Sequence, residues 1–287
     1  AAVIVRGLFG HILILIKYHT FLISWNHVSY RQAMEWAMQM HPTTFGVYTG
    51  MAITFLLEFG FQSPQKKIYW FSYSLLTVML ILLFPKMPVF ALFFVHLMFG
   101  FRQRKQLKRL RVVIPVLGVV AALCFLLNLH LVKDRINELL PGSSIVSAPN
   151  SVQVRQLIWQ TDLALLKYHW LKGMGPGELQ RNLDLSMLYQ SSLAGQSLGS
   201  YNTHNEYLNY WLVFGIPGIV VLVGLIIFLA FKAFQSSRLS FQAFVILVSG
   251  VFLTENWLSV QHGVVFIAIL GTLFLCSPAM LNSGKEH

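Results

Sequence analysis

Residues 208–231 read LNYWLVFGIPGIVVLVGLIIFLAF, an unbroken apolar run without a single charged side chain. Wound as an α-helix, a run of this length crosses the ~30 Å of hydrocarbon in a bilayer. Seven further apolar blocks, at 3–25, 42–59, 68–84, 87–101, 110–131, 241–259 and 262–281, repeat the pattern. The 287-residue chain is 56% hydrophobic and only 11% charged, whereas a soluble domain carries ~25% charged residues. With a mean hydropathy of +0.63, it has more apolar surface than one soluble core can hide. A soluble enzyme, a secreted disulfide scaffold and a disordered tail are excluded. The expected fold is all-α and polytopic: five spans in 1–131, a polar loop at 132–207, and three spans in 208–287. Cys124 and Cys276 both lie in apolar blocks, so no disulfide or metal framework is indicated. The chain opens at Ala1 inside an apolar run and reads as a fragment that lacks some N-terminal spans.

Lysine and arginine in short loops set the orientation of a helical membrane protein. The loop at 101–111 holds Arg102, Arg104, Lys105, Lys108, Arg109 and Arg111. Lys66, Lys67, Lys232 and Arg238 fall on the same side. The opposite short loops hold only Arg31 and Lys86. Ten cations against two put 101–111 in the cytoplasm, and the net charge of +11 reads as topology rather than as a nucleic-acid interface. The loop 132–207 then faces outward, together with the tips at 26–42, 85–88 and 255–262. Its six cations balance six acids, as suits a domain that does chemistry rather than fixing orientation.

Inside that loop, Asn150 and Gln153 form a capping pair for a helix reading SVQVRQLIWQTDLALLKYHW. Val154, Leu157, Ile158, Thr161 and Leu165 make its apolar stripe. Arg155 and Asp162 lie on one face of this helix and can pair. GMGPG at 173–177 breaks the chain, and a second short helix follows. It is a turn rather than a nucleotide loop, because the strand–loop–helix setting and the Lys-Ser/Thr are missing. Thr203 with Glu206 three residues on is a capping box, which starts the next helix near His204. The positive end of the helix dipole disfavours a protonated imidazole there, and a neutral His can accept a proton as a general base. Gly215 comes three helical turns beyond His204 on the same face, followed by Pro217 and Gly218. Glycines so placed permit close packing, and the proline permits a kink.

His204-Asn205, nine residues, Gly215, two residues and Gly218 match the pattern H-[NSQ]-x9-G-x2-[GTY]. Upstream stand Arg155-x3-Trp159 and Gly173-x-Gly175-x-Gly177, and further upstream His41-Pro42-Thr-Thr-Phe-Gly46. In these features the chain resembles the O-antigen ligase and polymerase superfamily over about 40 to 260. The resemblance implies a C-type glycosyltransferase without metal or cofactor, in the bacterial inner membrane with its site on the periplasmic face. The donor would be a glycan on undecaprenyl pyrophosphate, and the acceptor a hydroxyl on lipid A–core or on another glycan. Membrane lipid is the remaining partner, and nucleic acid is not one.

The resemblance makes His204 the catalytic base and Arg155 a ligand of the pyrophosphate, where a guanidinium suits the charge bidentately. Lys86, held between Pro85 and Pro88 at an outward tip, stands where the family has an arginine. It can meet a phosphate or snorkel to headgroups. Asn205, Arg181, Lys172 and Tyr201 are further candidate contacts. A polymerase and a protein O-oligosaccharyltransferase share the pattern. A flippase for lipid-linked glycans is the rival from another class, but it calls for ionisable groups at mid-bilayer. Glu58 and Glu255 lie in or near spans with no role assigned.

Overall fold

The computed structural model describes residues 34–60, 64–83, 85–102, 151–194 and 200–276, with a few positions between 5 and 16. Regular structure among the described residues is helical: α1 (Pro42–Phe59), α2 (Lys66–Leu83), α3 (Lys86–Arg102), α4 (Ser151–His169), α5 (Pro176–Ala194), α6 (Glu206–Ser236), α7 (Leu239–Phe252) and α8 (Gln261–Cys276), with a 3₁₀ turn at Trp257–Ser259 before α8. The expected spans 3–25 and 110–131 fall largely or wholly outside the described residues. By length and composition α6 is the one described helix that suffices to cross a membrane, and α7 and α8 are shorter apolar helices.

The described residues belong to two compact units. The first contains 34–102 and 233–250. Pro42 at the start of α1 gives up an N–H that would go unpaired in a first turn. The Nδ1 of His41 accepts the Thr43 N–H at 3.3 Å. Ile53 and Leu57 of α1, Leu76 and Leu80 of α2, Leu92, Val95 and Phe99 of α3, and Leu239 and Ala243 of α7 form the core. Glu58 accepts the Leu239 and Ser240 N–H groups at 2.9 Å each, so it caps α7 from another helix. Arg102 closes the same corner by donating to the Ser237 carbonyl at 2.7 Å and to Gln242 Oε1 at 2.8 Å.

The second unit contains 151–232 and 251–276. Leu166 of α4, Leu179 and Leu183 of α5, and Leu212 and Val213 of α6 form its core. α4 carries the apolar stripe expected from its spacing, with Ile158 fully buried. The block expected as one span over 241–259 breaks sooner. The N–H groups of Thr254 and Glu255 both turn back to the Val251 carbonyl, and Thr254-Glu255-Asn256 leads into the 3₁₀ turn. Three consecutive polar residues end the apolar run at that point.

Candidate active site

All of the following geometry lies within the second unit. α6 starts at Glu206, two residues later than the capping box implies. The reason is that Asn205 takes the cap: its Oδ1 accepts the Leu208 N–H at 3.0 Å. Thr203 and Glu206 are drawn elsewhere. The Asn256 side-chain amide donates to Thr203 Oγ1 at 2.8 Å, and Asn256 Oδ1 accepts the Asn205 N–H at 2.9 Å. Glu206, fully buried, accepts the Leu258 N–H at 2.8 Å. Asn205 Nδ2 donates to the Leu253 carbonyl at 3.3 Å, and Trp159 of α4 donates from Nε1 to the Thr203 carbonyl at 3.2 Å. The 200–206 loop is thus stitched to 253–258 and to α4, and most of its polar groups serve structure.

His204 stands just outside α6, with φ at 46°. Non-glycine residues adopt this left-handed region at a cost, and such positions concentrate where a side chain must be aimed. The His204 N–H donates to Asn202 Oδ1 at 3.0 Å, which holds the turn. Nδ1 is buried and has no hydrogen-bond partner among the described residues. The nearest carboxylate oxygen, Oε2 of Glu255, is 3.8 Å away. The other oxygen of Glu255 lies 3.7 Å from the Arg155 guanidinium. One carboxylate therefore stands between the imidazole and the arginine. With Nδ1 facing it, Nε2 is the nitrogen free to take a proton from a substrate. Catalytic contacts in unliganded sites are often long and tighten when substrate arrives.

Arg155 does not pair with Asp162. The Asp162 side chain is fully buried, and neither of its oxygens has a partner among the described residues. Burial pushes its carboxyl up to about 8.

Gly173 and Gly215 explain one another. Both have positive φ, at 70° and 68°. A Cβ on Gly215 would lie 2.2 Å from the Leu171 carbonyl oxygen, and one on Gly173 would lie 2.4 Å from that of Val213. The 171–175 turn docks backbone to backbone: Met174 N–H donates to Leu212 O at 2.8 Å, Gly175 N–H to Val213 O at 2.9 Å, and Ile216 N–H to Leu171 O at 3.2 Å. Gly215, expected as a packing glycine within a continuous helix, is instead a non-helical break in α6 where this turn inserts. Gly218 lies beyond the break, close against the Tyr210 carbonyl.

The remaining candidates separate. The Tyr201 ring lies 6.5 Å from that of His204, centroid to centroid. Arg181 sits on the solvent side of α5 in an i,i+3 pair with Glu178 at 3.7 Å. Lys172 is exposed in the turn after α4, and Lys86 is exposed at the start of α3 in the first unit. Two site residues carried no role in the sequence reading: Glu255 and Asn256. Their only signal there was position, because Glu255-Asn256 falls in a tip expected on the same face as His204.

A histidine, a carboxylate and an arginine thus meet in the unit that begins the long apolar helix α6. The chain belongs to the O-antigen ligase family, whose model matches residues 71–223. That stretch takes in Arg155, Gly173, His204 and Gly215 and ends before Glu255. No curated protein matches the chain.

Proposed function

We propose that the chain moves a glycan from undecaprenyl pyrophosphate to a sugar hydroxyl of lipid A–core, at the periplasmic face of a bacterial inner membrane and without metal. The observation that carries this reading is the Glu255 carboxylate held 3.8 Å from His204 and 3.7 Å from Arg155. In the proposed reaction the acceptor oxygen attacks the anomeric carbon as the bond from that carbon to the phosphate oxygen breaks. The hydroxyl proton passes to His204 Nε2, and Glu255 stabilises the imidazolium that forms. Arg155 keeps guanidinium N–H groups for the negative charge that builds on the departing pyrophosphate, a charge that a preorganised cation stabilises most strongly in the transition state. Tyr201, beside the imidazole, is placed to contact a sugar.

The test uses the protein in proteoliposomes with a polyprenyl-pyrophosphate oligosaccharide and a lipid A–core acceptor. His204→Ala is expected to lose ~10²–10⁴-fold in rate with insertion intact, and EDTA is expected to leave the parent's rate unchanged. Transfer by His204→Ala within a few-fold of the parent overturns the assignment. Elongation on the lipid carrier, in place of transfer to the core, identifies a polymerase.

A further inference from the structure

Beside the His204 loop the second unit holds a cavity of about 270 Å³ whose chemistry differs from that of the Arg155–Glu255–His204 cluster. Its walls come from α5, the 202–203 segment of the His204 loop, the first turns of α6, and the 258–259 stretch that leads to α8. Asn209, Tyr210 and Ser259 supply amide and hydroxyl groups, and Phe214 supplies an aromatic ring half exposed. Gln180 and Asn202 also line it, but the Gln180 amide already donates to Asp184, Ser200 and the Tyr201 carbonyl, and Asn202 Oδ1 accepts the His204 N–H. Among the described residues no lysine or arginine lines it, and their one carboxylate, Glu206, is buried and engaged by the Leu258 N–H. These residues therefore present no positive side chain to a phosphate. Uncharged donors and acceptors beside an aromatic face suit a ligand with hydroxyl edges and C–H faces.

Two details sharpen the match. The Tyr210 hydroxyl has no hydrogen-bond partner among the described residues, and its ring meets that of Phe214 at 5.5 Å between centroids, so together they form one aromatic wall. Asn209 spends its amide only on a 3.5 Å contact with Glu206, so its carbonyl oxygen is left for a ligand. The cavity is also close to the chemistry, because its wall residues Asn202 and Thr203 directly precede His204. Consecutive Cα atoms are ~3.8 Å apart, so the wall begins within one or two residue lengths of the imidazole-bearing residue.

We infer that this cavity is a binding subsite for a neutral sugar ring of the glycan substrate, with the Tyr210 and Phe214 rings as its stacking wall and Asn209 and the Tyr210 hydroxyl as its hydroxyl readers. The inference rests on the glycosyltransferase reading for the identity of the ligand, but its test does not depend on transfer. The direct measurement is binding to the full-length protein of two free oligosaccharides, the source organism's surface repeat and its core oligosaccharide, each released from lipid by mild acid. Tyr210→Phe removes one hydroxyl and keeps the ring, and Asn209→Ala removes one amide. Each is expected to weaken binding ~10-fold, the cost of one lost hydrogen bond.

In the transfer assay the same variants are expected to raise KM with kcat within ~2-fold of the parent, since the sugar contact is made before and during reaction alike. Only the donor KM rises if the ring belongs to the incoming glycan, and only the acceptor KM rises if it belongs to the receiving one. Unchanged oligosaccharide binding by both variants overturns the inference. Weakened binding in a protein that shows no transfer upholds the subsite and refutes the transferase reading.

Discussion

Replacing Glu255 with glutamine keeps the shape of the side chain and deletes the charge between His204 and Arg155. At the 3.8 Å that separates Oε2 from Nδ1, a unit charge pair is worth ~4.4 kcal/mol at an effective dielectric of ~20 and ~1.1 kcal/mol in bulk water. The two side chains are 17% and 28% exposed, so the stabilisation of an imidazolium falls between these limits, at ~2–3 kcal/mol. Loss of that much transition-state stabilisation lowers the rate by roughly 30–150-fold. The direction of the binding change is also fixed. Glu255 partly neutralises Arg155, so its removal leaves the guanidinium better able to hold an anionic donor. The signature is a fallen kcat with a donor KM that is unchanged or lower. Single-turnover transfer in proteoliposomes, with the donor concentration varied, measures both. A Glu255→Gln protein that transfers glycan within ~3-fold of the parent refutes the reasoning, and so does one whose whole loss lies in a raised donor KM.

Gly215→Ala puts a methyl 2.2 Å from the Leu171 carbonyl oxygen at a φ of 68°. With ψ at −155° the position lies in a region essentially reserved for glycine, where strain alone costs ~1–3 kcal/mol, so the melting midpoint in detergent should drop by several degrees; an unchanged midpoint counts against the docked turn. Asp162 gives a pH dependence of unusual sign. Its carboxyl is raised from 3.8 to about 8 by burial, so the fold binds the proton more tightly than the unfolded chain does. Its stabilising contribution is complete below ~4 and is lost as pH rises through ~8, at up to ~1.4 kcal/mol per pH unit between. The parent should melt lower at pH 8 than at pH 5, and Asp162→Asn should flatten that difference; equal pH profiles for the two proteins contradict the assignment.

Local signals carried most of the fold. Pro42 and the run after it mark α1 at the residues where the helix starts and ends, and the stripe on α4 forecasts its buried Ile158. The candidate site was legible only in its short-range part: the His204 loop, Arg155 on α4, the glycine triplet at 173–177 and the pair Gly215 and Gly218. Glu255 escaped because it stands 51 residues beyond His204, and sequence spacing carries no information about which carboxylate a fold brings to an imidazole. The capping box misled for a related reason. Thr203 and Glu206 have the right types and separation, but Asn256 and the Leu258 N–H outcompete the helix end for them. A local preference yields where a tertiary partner satisfies the same group.

The break at Gly215 divides α6 into a short piece and a long one. Residues 216–236 make a continuous helix of twenty-one residues, about 31 Å long at 1.5 Å per residue, which matches the ~30 Å hydrocarbon slab unaided. Residues 206–214 are then surplus to crossing. They form a short stub that carries Asn209 and Tyr210. The turn locked into the break fixes where the long apolar helix begins relative to His204.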